Sequence, residues 1–227
     1  MSFEKTSSSE DAVGYVHFLA IPIATLFATP IAAKLQLDLL KKSDKNVLPM
    51  KAFLPPYIAQ QLISSCAGDF GVQCCGEDSS KLTRALCGSL CETGATLLPE
   101  YKTYYPEKGV VNVRKTLPKV AAIAGIRNSC FWLAVVTSGD SPEIALPVSI
   151  GVGVATTPTA HLANVVVKQG LSIKEAFCKM GVKDLFKGVP QRAGTCVLYS
   201  LALSQLTPVI EGALKRKSND VCQGRGF

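Results

Sequence analysis

Apolar residues in this chain gather into long blocks separated by short polar breaks. Six such blocks recur, at residues 13–40, 55–75, 82–99, 117–138, 144–167 and 189–214. At about 18 to 28 residues each, they are near the ~20 that an α-helix needs to cross a hydrocarbon core. None shows the strict alternation of a membrane β-strand, so the pattern predicts helices. Several blocks are interrupted by polar groups: Gln60, Gln61 and Asp69 in the second, Glu92 in the third and Arg127 in the fourth. Charges within such blocks are expected to face a bundle interior or a water-filled cavity. Runs of small residues, as in Ser149-Ile-Gly-Val-Gly-Val-Ala155, suit close helix packing in lipid. The prediction is an all-α membrane protein with six transmembrane helices.

Composition agrees. Of 227 residues, 48% are hydrophobic and 18% charged, with a mean hydropathy of +0.26; a soluble domain carries about a quarter charged residues. Formal charge is +7, but the basic residues do not cluster as on a nucleic-acid-binding face, and no nucleic-acid partner is expected. They are distributed by loop instead. The breaks after the first, third and fifth blocks hold 14 of the 24 Lys and Arg, whereas the opposite side holds 7. Glu77, Asp78, Asp140 and Glu143 lie on that poorer side. With an even number of crossings, both termini are expected there. Residues 1–12 hold Glu4, Glu10 and Asp11 against Lys5, unlike the Arg-rich, acid-poor leaders of organelle import, so no cleavable presequence is expected. Nine cysteines include the neighbours Cys74 and Cys75, with Cys87 and Cys91 four apart. Their spacing does not match a metal site, and they read as small buried hydrophobes in a reducing compartment.

Prolines divide the chain further. Pro30, Pro99 and Pro158 fall towards the ends of the odd blocks, whereas Pro55, Pro118 and Pro190 open the even ones. The even-to-odd spacings, 44 and 40 residues, are nearly constant. This predicts three two-helix pseudo-repeats, at 13–75, 82–138 and 144–214, between polar tails at 1–12 and 215–227.

The most specific local motif lies in the last third. Gly181 is followed by Phe186-Lys187-Gly188, then Pro190 and Arg192, and Leu171–Lys179 before it reads as a short surface helix. Together with three helix pairs and a proline on each odd helix, this resembles the mitochondrial carrier family. The layout covers all six blocks; the specific motifs are confined to the last third. The resemblance implies a mitochondrial-carrier-like bundle in the mitochondrial inner membrane, with its termini in the intermembrane space. It also implies cardiolipin bound at Phe186, Lys187 and Gly188, an anion held by helix N-terminal N–H groups beside a lysine. The residues alone fit an interfacial Phe–Lys anchor beside a turn equally well.

Departures from the family pattern bear on function. Where carriers place gate acids on the odd helices, this chain has Ala32, Tyr101 and Ala160; where they place gate bases, it has Leu35, Tyr104 and Ala163. Residues 70–75, 135–140 and 203–208 lack the second gate as well. Positions corresponding to the family's substrate contacts are Ala59, Ala122, Ile123 and Thr195, all uncharged. Arg127 is the charged candidate for a cavity, with Glu92 or Asp69 as prospective partners, and Arg192 is expected to snorkel to the headgroups. No catalytic constellation is present, so no enzyme and no cofactor other than lipid is expected. The leading expectation is a carrier-fold accessory subunit of a respiratory-chain complex or ATP synthase that has lost transport. Its partners would be membrane lipids and other inner-membrane protein subunits. A divergent carrier for a small anionic metabolite, or an unrelated six-helix membrane protein, are the alternatives.

Overall fold

A computed structural model describes residues 7–43, 47–76, 78–104, 113–138 and 141–223, and their regular structure is entirely helical. Five long helices come first: α1 (Ser7–Ser43), α2 (Met50–Cys74), α3 (Lys81–Tyr104), α4 (Val113–Ser138) and α5 (Pro142–Gln169). Two short ones follow, α6 (Ile173–Lys179) and α7 (Val182–Leu185). A last rod joins α8 (Val189–Leu201) to α9 (Thr207–Gln223) through a π-helical turn, Ala202–Leu206. Helix extends into both expected tails, since α1 begins at Ser7 and α9 ends at Gln223.

Length and apolarity sufficient to cross a membrane belong to four segments, Tyr15–Lys42, Arg114–Ser138, Glu143–Gln169 and Val182–Lys217, where the hydrophobic pattern predicts six. The other two, α2 and α3, are diluted by polar side chains. Gln60, Gln61, Asp69 and Gln73 lie on α2, and Lys81, Arg84, Glu92 and Glu100 on α3.

Consecutive helices pack side by side from α1 through α5 to α8, and the α8–π–α9 rod returns against α1, closing a ring. Polarity is inverted along part of the ring. On α1 the small or polar Ala20, Ala24, Thr25, Ala28, Thr29 and Gln36 are buried, together with Ile21, Leu37, Leu39 and Leu40, while Phe18, Leu19, Leu26, Phe27 and Ile31 are exposed. On α3, Ser89, Glu92, Thr96 and Glu100 are buried and Leu82, Leu86, Leu90 and Leu98 are exposed. A chain in water places its large apolar side chains inside; this ring presents many of them outward, while Leu40, Phe53, Val120, Val166 and Leu185 pack in a buried apolar cluster. Several buried hydroxyls are satisfied within their own helices: Thr29, Thr96, Ser149 and Thr157 each donate to the carbonyl four residues back, at 2.6–2.7 Å.

Local signals set the α5–α8 junction. Helix α5 stops at Gly170, whose φ of 66° is left-handed and whose N–H donates to the Val166 carbonyl. Helix α6 opens on a capping box in which Ser172 N–H donates to Glu175 Oε2 at 2.7 Å and Glu175 N–H to Ser172 Oγ at 3.2 Å. The Ser172 N–H bond holds the Glu175 carboxyl below its ordinary range. Gly188, with φ of 83°, precedes α8, and Pro190 follows at the start of that helix.

Small residues let the helices approach. A Cβ at Gly153 would sit 2.4 Å from the Ala193 Cα, so α5 and α8 touch backbone to backbone. Gly153→Val should therefore destabilise the bundle by about 1–3 kcal/mol through overpacking. Gly151→Val, where a Cβ meets nothing within 4 Å, serves as the control. Thermal unfolding in detergent should show a lowered midpoint for the first variant alone.

Candidate functional site: the polar interior of the ring

The best-defined interior feature is a cavity of about 70 Å3. Gln36 of α1 lines it with Tyr57, Gln60, Gln61 and Ser64 of α2, Glu92 of α3, and Arg127, Asn128, Phe131 and Trp132 of α4. The α8–π rod closes it with Arg192, Thr195, Cys196, Tyr199 and Leu203. Five of the six rods thus meet there; α5 contributes no lining residue.

Charges in this interior are bound in a ladder between α3 and α4. Arg127 Nη1 and Nη2 donate to Glu100 Oε1 and Oε2 at 2.5 and 2.9 Å. Its Nε and Nη2 also donate to Asn128 Oδ1 at 2.9 and 2.8 Å. Such fork-to-fork geometry is the strongest way to hold a guanidinium away from water. Asn128 Nδ2 donates in turn to Thr93 Oγ1 at 3.1 Å. One level on, Glu92 accepts from Ser64 Oγ and from Trp132 Nε1, each at 2.5 Å. The Trp132 ring lies over Gly68 and Gly88, where a Cβ would meet it at 2.0 and 3.2 Å, so glycines on α2 and α3 create its slot. Ser129 Oγ donates to Ser89 Oγ at 2.9 Å, and Ser89 Oγ to the Gly125 carbonyl at 3.1 Å.

Arg192 behaves differently. Its Nε donates to Thr156 Oγ1 on α5 at 3.2 Å, and among the described residues no carboxylate pairs with it. It lines the cavity from the first turn of α8.

A second polar cluster ties three rods where α1 and α9 pack against each other. His17 on α1 bonds Asp69 Oδ2 on α2 at 3.1 Å through Nε2 and Glu211 on α9 through Nδ1. Gln73 Nε2 donates to Asp69 Oδ2 at 3.4 Å, and Lys215 approaches Glu211 at 3.8 Å.

At the opposite end, a groove of about 270 Å3 is lined by Lys42, Gln169, Lys179, Met180, Asp184 and Lys187. Lys187 Nζ lies 2.5 Å from Asp184 Oδ1, and Phe186 is exposed. The buried His161 of α5 pins this turn, its Nε2 lying 2.6 Å from the Lys187 carbonyl. A Cβ on Gly188 would lie 2.6 Å from Leu39 Cδ1, so space and left-handed backbone both demand glycine there.

Sequence-predicted contacts divide accordingly. Arg127 and Thr195 line the cavity. Ala59 and Ala122 are exposed, and Ile123 packs into the apolar core, so none of the three lines it. Helix α4 instead turns Arg127, Asn128, Phe131 and Trp132 inward, one to three turns further along. Arg127 takes Glu100 as its partner, in place of Glu92 or Asp69. Glu92 is occupied by Ser64 and Trp132, and Asp69 by His17 and Gln73. Tyr57, Tyr199 and Asn128 also line the cavity, and no sequence signal marks them beyond their lying on amphipathic faces.

Comparison of the chain with protein-family models, with curated proteins and with solved structures finds no match. The interior must be read from its own chemistry.

Breaking the pair tests that chemistry. Arg127→Met strands Glu100, which is 1% exposed at its side chain, and should cost about 3–5 kcal/mol. Arg127→Met combined with Glu100→Leu should recover most of that loss. Chemical unfolding of the three variants in detergent measures it.

Proposed function

We propose that this chain is a non-catalytic structural subunit of a membrane complex, built on a carrier-like ring and no longer moving a solute. The observation that carries this reading is the bidentate Arg127–Glu100 pair with its Asn128 support, which uses the deepest cation for internal cohesion. A cavity of about 70 Å3 also falls well short of the roughly 300–1,000 Å3 of pockets that enclose small-molecule ligands. Alternating access needs an element with two arrangements of similar energy. A fork-to-fork pair buried between neighbouring helices favours one.

Support for the carrier-like arrangement comes from the ring order, from the prolines inside α1 to α5, and from the short α6–α7 step before Gly188. In this reading all six rods cross the bilayer, α2 and α3 turning their polar faces to the ring interior. The three helix pairs are pseudo-repeats, and both termini face the intermembrane space of the mitochondrial inner membrane. The groove beside Phe186, Lys187 and Gly188 holds the anionic headgroup of cardiolipin, with Lys42 and Lys179 adding positive charge. The setting is an accessory position in a respiratory-chain complex or ATP synthase. On a native gel of solubilised mitochondria the protein should co-migrate with such a complex; migration only as a free monomer would overturn the assignment.

Arg192 favours a second reading, a divergent carrier for a small anion. It faces the cavity without a carboxylate partner among the described residues. Proteoliposomes should then take up phosphate, keto acids or nucleotides, and Arg192→Gln should abolish uptake while leaving the bundle folded. Absence of uptake across that panel removes the carrier reading.

A further inference from the structure

Three charged side chains line the cavity: Glu92, Arg127 and Arg192. Arg127 is spent on Glu100 and Asn128. The remaining two are of opposite sign, and among the described residues neither makes an ion pair. Arg192 commits its Nε to Thr156 Oγ1 at 3.2 Å, while its two Nη groups make no hydrogen bond to a described residue. Glu92 is 6% exposed and accepts from two neutral donors, Ser64 Oγ and Trp132 Nε1, each at 2.5 Å. A carboxylate has about four acceptor sites, so room remains for further donors. Gln36, 7% exposed, lines the same cavity, and its Oε1 is buried with no hydrogen-bond partner. Such an atom is costly to leave unmatched. One cavity thus holds an unspent cationic donor, an anionic acceptor with spare capacity and an orphaned amide oxygen.

We propose that this cavity binds a small zwitterion of the glycine type, its carboxylate on the Arg192 guanidinium and its ammonium on Glu92 and Gln36 Oε1. The planar fork of a guanidinium matches a carboxylate, and an ammonium brings only donors, which is what Glu92 and Gln36 lack. A simple anion drawn to Arg192 would share the cavity with Glu92, and a simple cation drawn to Glu92 would share it with Arg192; like charges so placed repel. A molecule carrying both charges completes both walls. Size sets the limit. At the ~10–15 Å3 that one water needs, a cavity of about 70 Å3 holds about five atoms of that size, which admits glycine and excludes an amino acid with a large side chain. The inference goes beyond the proposed structural role, since it requires binding and no transport. Should the chain move a solute, it names a zwitterion in place of a simple anion.

The test uses the full chain in lipid nanodiscs, dialysed to equilibrium against radiolabelled glycine with acetate, methylammonium or leucine as competitors. Glycine should be retained and displaced by unlabelled glycine, and none of the three competitors should displace it at the same concentration. Glu92→Gln and Arg192→Gln should each weaken retention by about ten- to a hundredfold, the worth of a charge-assisted hydrogen bond. Lys81→Gln, exposed at the start of α3, should retain glycine as the unaltered chain does. Thermal unfolding without ligand establishes that each variant is folded, and where one is not, the competition series on the unaltered chain decides. Displacement by acetate as strong as that by glycine would reveal a plain anion site and overturn the proposal. So would no retention of glycine, with water alone filling the cavity, or undiminished retention by folded Glu92→Gln. Uptake into proteoliposomes is a separate measurement, so failure of the carrier reading leaves this result standing.

Discussion

Much of this fold follows from a partial inversion of polarity around the ring, alongside a buried apolar cluster. Phe18, Phe27, Leu90, Ile126 and Ile150 point outward, whereas Thr25, Gln60, Glu92, Arg127 and His161 point inward. An outer surface of that kind is stable against lipid or other apolar surfaces, where no water can satisfy a stray donor. The interior must then satisfy itself. Hydroxyls fold back onto carbonyls of their own helices, and carboxylates find tryptophan, serine, histidine or arginine across the helix contacts. The glycines at 68, 71, 88 and 153 serve the same end, bringing backbones close enough for short polar side chains to reach.

Within that constraint Arg127 fixes the relation of α3 to α4. A buried guanidinium without a partner is prohibitively costly, so the helices settle in the register that gives it both oxygens of Glu100. The same register aligns Asn128 with Thr93, Trp132 with Glu92 and Ser129 with Ser89. These four cross-links run the length of one interface and resist sliding or tilting of either helix alone. Across the ring, His17 does the corresponding work for the first, second and last rods. A bundle cross-linked at both places is suited to hold a shape. Arg192, linked only to Thr156 among the described residues, is the exception that keeps an anion-binding alternative in view.

Helix placement was readable in the sequence because hydropathy blocks and terminal Gly, Pro and Ser signals are local. Gly170, Ser172 and Gly188 mark their boundaries as their chemistry requires. Rotation and register were not readable. Ala122 and Arg127 lie on one helix, but which faces inward depends on how α4 meets α3 and α5, and that is settled by side chains far off in sequence. Glu100 follows Pro99 near the end of its block, where it resembles a loop acid, yet it is 1% exposed and holds Arg127. Helices α2 and α3 illustrate the same limit. Their polar residues depress apolarity along the sequence, while the ring places Gln60, Ser65, Ser89 and Glu92 inside.

The central claim is that the interior is a packed, ion-paired core and not an open path. Cysteines placed singly at position 60 or 195, in a chain whose native cysteines are replaced by serine, report on it directly. In sealed membrane vesicles of both orientations, a membrane-impermeant maleimide should fail to label either position until detergent and denaturant open the bundle. Labelling of either position from one side, at the rate of a surface cysteine on α6, would contradict the account.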